Sequence, residues 1–276
     1  MNSAPHGSPA SRLPVTGDLS LIYALSLVVA ALMVTASGAG LLYADQLYST
    51  EEARHLYLVN DVVTLIVGVP ILLGSMALAR RGSLIGLLFW PGALLYVVYN
   101  AVAYVCGLPL NAAFLLSLVL LVLSLYTLPG LVASIDAKSV QRRLRGAVSE
   151  GVTATALIVM GAAYLLLALG TMLQALIGRA DVPAELPVMV ADTLTAPAWV
   201  AGGILLLRRK PLGYAVGGGL LFSINTLFVG VIAITLLQPA LTDKPFVVGD
   251  TLALAAMAIV AFIPTWLFAR GVGFKA

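Results

Sequence analysis

From residue 19 onward the chain alternates long apolar runs with short polar connectors. Eight such runs stand out, at 19–43, 56–79, 84–106, 112–135, 152–177, 186–207, 212–237 and 247–269. An α-helix rising about 1.5 Å per residue needs roughly 20 residues to cross about 30 Å of hydrocarbon, and every run is long enough. None alternates apolar and polar residues with the period of two that a membrane β-barrel strand requires. The expected fold class is therefore all-α: a polytopic membrane protein with eight transmembrane helices. Residues 1–18, rich in Ser, Pro, Gly and Ala, predict a disordered leader.

Charge sharpens this picture. Of the 276 residues only 10% are charged and 61% are hydrophobic, with a mean hydropathy of +1.05. A soluble domain carries about 25% charged residues, whereas residues 82–135 here contain no Asp, Glu, Lys or Arg. If the N-terminus is cytoplasmic, 12 of the 15 basic residues fall on the inner side, leaving Arg54, Arg179 and Lys244 outside. Positive residues favour the cytoplasmic face, so both termini are expected inside, in the inner membrane. The net charge of +3 and the pI near 9.1 then express topology, and no nucleic-acid partner is expected. The first run also admits a different reading, as a cleaved signal peptide, because Thr35-Ala36-Ser37-Gly38-Ala39 supplies small residues after an apolar stretch.

The chain divides at a basic linker, 136–150, into segments 19–135 and 151–270, followed by a tail, 271–276. Asp61-Val-Val-Thr64 and Arg80-Arg81-Gly-Ser-Leu-Ile-Gly86 in the first segment parallel Asp192-Thr-Leu-Thr195 and Arg208-Arg209-Lys-Pro-Leu-Gly213 in the second. One gap of about three residues aligns both pairs. Four helices per half would give the halves the same orientation, hence two parallel repeats. In the linker, Val140, Leu144 and Val148 recur every fourth residue beneath Lys138, Arg142, Arg143 and Arg145. That pattern suits a short helix lying on an anionic inner leaflet, with the basic residues touching lipid headgroups. It equally suits an ordinary basic loop.

Composition excludes much chemistry. His6 and His55 are the only histidines and Cys106 the only cysteine. An intrachain disulfide, a CxxC pair and a histidine zinc helix are therefore excluded. No nucleophile stands beside a base, so no enzyme activity, metal or cofactor is expected.

Polar residues inside a bilayer are costly and call for an account. Asp61, Asp192 and Asp250 lie near the outer ends of even-numbered runs, with Asn111 at the matching place in the fourth. Each could cap its helix, since Asp and Asn side chains accept orphaned backbone N–H groups. Asp192 suits that role less well. A helix starting at Thr193 would be short before Arg208, whereas one opening at Pro187 puts Asp192 inside, with Pro197 interrupting the hydrogen-bond ladder near it. Pro70 interrupts the corresponding run of the first half. Asp61, Thr64, Asp192 and Thr195 are thus candidate groups for a cation, a proton or a small solute. Tyr96, Asn100 and Tyr104, four residues apart, share one helix face, and Asn225 repeats the theme in the seventh run. Asn100 and Asn225 are candidates for the same site, and Tyr96 and Tyr104 for lining a path to it; packing explains the same residues. Gly213, Gly217, Gly218 and Gly219, with Ala36 and Gly40, are expected to allow close helix approach.

The segments Trp90-Pro91-Gly92-Ala93-Leu94-Leu95-Tyr96-Val97-Val98-Tyr99-Asn100 and Leu206-Leu207-Arg208-Arg209-Lys210-Pro211-Leu212-Gly213-Tyr214 resemble those of a group of uncharacterised polytopic membrane proteins of bacteria and archaea. The resemblance implies a multi-pass protein of a prokaryotic membrane and transfers no chemistry. Two functions remain open on these residues. One is a transporter or channel for a small solute, cation or proton, with an outward-facing site between the halves. The other is a scaffold or sensor that binds a partner protein or lipid. Either admits a homo-oligomer.

Overall fold

A computed structural model describes residues 13–48, 50–178, 185–242, 246 and 248–273, apart from the side chains of Glu52 and Asp250. Eleven α-helices carry the described chain: α1 Ser20–Leu42, α2 Ala44–Leu47, α3 Glu51–Val63, α4 Val69–Arg80, α5 Leu84–Gly107, α6 Ala112–Ser134, α7 Ala137–Leu144, α8 Glu150–Gly178, α9 Leu186–Leu207, α10 Pro211–Leu241 and α11 Val248–Gly273. A π-helical turn, Thr64–Gly68, joins α3 to α4 without a break. Eight of the resulting helices are long and apolar enough to cross a membrane. The shortest, the 22-residue α9, reaches about 33 Å. The protein is an all-helical chain with the build of a multi-pass membrane protein.

Polar side chains cap several of the helix starts. Thr50 accepts from Ala53 N at 3.1 Å, Asn111 from Phe114 N at 3.0 Å, and Asp136 from Ser139 N at 3.1 Å. Hydrogen bonds from the Ser139 hydroxyl and backbone hold the Asp136 carboxyl below the usual carboxylate range. The turn after α4 passes through Gly82 at φ +84°, and the turn after α9 through Arg209 at φ +53°. The second conformation is uncommon for a residue with a Cβ. It is braced by Gln141 Nε2, which donates to the Arg209 carbonyl at 2.7 Å, and by the Arg209 guanidinium, whose Nε meets Glu150 Oε2 at 3.0 Å.

The centre of the bundle is α5, buried along most of its length. It packs against α4, α6, α9 and α10. Helices α5 and α10 meet backbone to backbone: a methyl on Gly92 would strike the Gly219 carbonyl, and one on Gly219 would come within 2.6 Å of the Leu88 carbonyl oxygen. Small residues buy this approach in lipid, where dispersion rather than water exclusion drives helix association. The expected packing roles of Gly40, Gly213, Gly218 and Gly219 all hold, since a Cβ at each would collide with a neighbouring element.

Two expectations change. Leu13–Asp18, placed above in a disordered leader, is partly tied down: Val15 pairs with Ile135, Thr16 N donates to the Ser134 carbonyl at 2.9 Å, and Asp136 N to the Pro14 carbonyl at 2.8 Å. Residues 1–12 lie outside the described residues. In the linker, Val140 and Leu144 are 0% exposed and belong to the main core, with α7 packed on α10. The apolar stripe is thus spent on protein and does not enter the leaflet. Lys138, Arg142 and Arg145 remain exposed, and Arg143 half-buried.

Candidate functional site

Asp61 is the eleventh residue of α3, whose start is capped by Thr50, so it caps nothing. The side chain is 1% exposed. Tyr48 donates a short hydrogen bond to Oδ2, and Tyr104 donates to Oδ1 at 2.8 Å. The carboxylate fits only because residue 40 is glycine; a methyl there would overlap both Asp61 and the Tyr48 hydroxyl.

Beside Asp61 lies a cavity of about 30 Å3, lined by Ser37 of α1, Asp61, Thr64 of the π turn, Tyr96, Asn100 and Tyr104 of α5, Ser117 of α6 and apolar neighbours. It has room for about one or two waters or a bare ion. The π turn has a local cause. Val69 N–H bonds to the Thr64 carbonyl, five residues back, and residue 70 is proline, which has no N–H to give. The Leu65 carbonyl therefore loses both helical donors it would otherwise meet. Such bulges recur at functional sites.

A second cavity of about 90 Å3 lies on the other side of the same tyrosine–asparagine stripe, where α3, α5, α9 and α10 converge. Asn60, Tyr96, Tyr99, Asn100 and Tyr104 supply its polar wall, and Val188, Leu227, Gly230, Val231 and Ile234 part of its apolar one. Asn60 Nδ2 donates to Asn100 Oδ1 and to Tyr104 Oη, both at 3.2 Å, and Asn100 Nδ2 to the Tyr96 carbonyl at 3.0 Å. Among the described residues, no Lys, Arg or His lines either cavity.

The candidates of the first half converge: Asp61, Thr64, Tyr96, Asn100 and Tyr104 all line the smaller cavity. Those of the second half do not. Asp192 is the seventh residue of α9, which opens at Leu186 with Pro187 in its first turn. It is half-buried and accepts from the Tyr99 hydroxyl at 3.0 Å. The Thr195 hydroxyl turns back to the Ala191 carbonyl at 2.7 Å. Asn225 donates a short hydrogen bond to Thr265 of α11, so it ties α10 to α11 and lines neither cavity. The two aspartates share neither of these cavities; each instead holds a tyrosine, Tyr104 or Tyr99, that lines the larger one. Asn111 caps α6, and Asp250 lies outside the described side chains.

Sequence reasoning missed Ser37, Tyr48, Asn60 and Ser117. Ser37 sits in a run of small residues that reads as packing, and Tyr48 lies outside any periodic run. Asn60, beside Asp61, was the one with a visible signal. The chain matches no family model, no curated protein and no solved structure.

Proposed function

We propose that the protein is a transport protein of a prokaryotic inner membrane that takes up a proton or a small monovalent cation at Asp61. One observation carries this reading: a carboxylate 1% exposed, inside a membrane-spanning helix, with no basic residue among the described residues that line its cavity. The hydroxyls of Tyr48 and Tyr104 donate to it but carry no charge, and a carboxylate taken out of water without a counter-charge is costly. In this reading a proton or a cation at Asp61 offsets that cost. The neighbouring oxygens of Ser37, Thr64, Asn100 and Ser117 are hard, neutral ligands, the type that suits alkali ions.

The wider architecture we propose is a pair of parallel four-helix repeats with both termini cytoplasmic, in line with the resemblance to multi-pass proteins of bacteria and archaea. Supporting the repeat, Gly82 and Arg209 have left-handed backbones four residues before Gly86 and Gly213. A Cβ at either glycine would meet the backbone seven residues earlier, at Ala79 or Leu206. The same spacing, 127 residues, relates Gly92 to Gly219, where α5 and α10 touch. Supporting the orientation, the Arg-rich turns, α7 and the end of α11 lie at one end of the bundle. There Lys138, Arg142, Arg143 and Arg145 meet the anionic inner leaflet through their charges.

The test is flux in proteoliposomes of the purified full chain under an imposed proton or sodium gradient. Wild-type protein is expected to dissipate one of the two gradients, and Asp61→Asn to reduce that flux to the protein-free background. Equal flux in both proteins, or none in the wild type, would overturn the reading.

A further inference from the structure

Helices α1 and α4 belong to two of the membrane spans, and between their inner ends runs an open groove of about 610 Å3. Ala24 and Leu27 of α1 and Leu73 and Met76 of α4 form its apolar length. Tyr23 ties the two walls together: its hydroxyl donates to the Met76 carbonyl at 3.4 Å, and its ring centre lies 4.5 Å from that of Trp90. Leu27 stands seven residues into the span from Ser20, and Leu73 seven from Arg80, so the groove runs about 10 Å into the hydrocarbon, about a third of its thickness. The mouth carries two charges. Asp18 stands just ahead of α1, Arg80 is the last residue of α4, and both line the groove. Both are exposed, and among the described residues neither has an opposite charge within 4.0 Å, so they do not pair with each other. Hydrogen bonds from the hydroxyl and backbone N–H of Ser20 hold the Asp18 carboxyl below the usual carboxylate range. It is therefore ionised, and those two bonds leave about half of its lone-pair positions open.

We propose that the groove between α1 and α4 binds a zwitterionic aminophospholipid, its phosphate on Arg80, its ammonium on Asp18 and the upper part of one acyl chain along Ala24, Leu27, Leu73 and Met76. Charge complementarity selects this occupant. The phosphate accepts charge-assisted hydrogen bonds from the guanidinium, and the primary ammonium donates to the open lone pairs of Asp18. A phospholipid with a negative charge alone would set its headgroup against Asp18, and an uncharged lipid would leave both residues unanswered. The apolar walls are what an acyl chain needs, and both helices already face lipid. The site is independent of Asp61 and stands or falls apart from the transport reading.

The test is native mass spectrometry of the delipidated full chain in detergent, mixed with equal amounts of phosphatidylethanolamine and phosphatidylglycerol of the same acyl chains. One phosphatidylethanolamine is expected to be retained in preference to phosphatidylglycerol. Arg80→Gln should weaken retention of both lipids about three- to fivefold, the scale of an exposed charge pair. Asp18→Asn should instead remove the preference, by weakening the first lipid and admitting the second. Arg81→Gln, at an exposed arginine that does not line the groove, should change nothing. Ala24→Trp, at an exposed position, fills the groove and should abolish the adduct without disturbing the core. Equal retention of the two lipids by the wild type, a preference that survives Asp18→Asn, an adduct undiminished in Ala24→Trp, or a protein dimer in place of a lipid adduct would overturn the proposal.

Discussion

Asp61 keeps its place because of an atom that Gly40 lacks. A Cβ there would overlap the carboxylate and the Tyr48 hydroxyl, so Gly40→Ala should destabilise the protein by about 1–3 kcal/mol, the usual cost of overpacking. Two residues that share one space do not act additively. In a background of Asp61→Ala the same substitution should cost much less, as measured by unfolding in mixed micelles for the four members of the cycle. An equal cost in both backgrounds would show that Gly40 acts elsewhere. Much of this site was legible in the sequence. Asp61 and Thr64 are three apart, and Tyr96, Asn100 and Tyr104 four apart, so the helical period itself puts each set on one face. Ser37 and Ser117 were not legible, because a lone hydroxyl in an apolar run carries no periodic signal. Asn225 was misplaced for a similar reason: a sequence shows that a residue is polar but not which neighbouring helix its face will meet.

At the scale of elements, the close approach of α5 and α10 sets the position of the tyrosine stripe between the two cavities. Gly219→Val would drive a branched side chain into the Leu88 and Gly92 backbone. It should cost about 1–3 kcal/mol or more. Gly249→Val, at a glycine with no atom within 4 Å of an added Cβ, is the control and should be close to neutral. Unfolding of both variants in mixed micelles checks this. The positions of the eight spans were readable from hydropathy because each is longer than the bilayer is thick. The π turn was not. Pro70 announced an interruption, but whether a helix kinks, breaks or widens depends on the carbonyls its neighbours can satisfy. The fate of α7 was equally hidden. Val140, Leu144 and Val148 announced an apolar stripe, and only the packing against α10 shows that protein rather than lipid covers it.

Across the whole molecule, one helix divides the polar interior. Helix α5 presents Tyr96, Asn100 and Tyr104 to both cavities, with Asp61 in the wall of the smaller one. Asp61 and Asp192 are thereby linked to the same chamber without facing each other, each through one tyrosine. The central claim is that Asp61 exchanges a proton or an alkali ion with water through this interior. Infrared difference spectroscopy of the protein in lipid, recorded across a sodium jump and separately across a pH jump, tests it most directly. The account predicts a carboxyl band that responds to one of the two jumps and disappears in Asp61→Asn. A difference spectrum identical in the two proteins would contradict it.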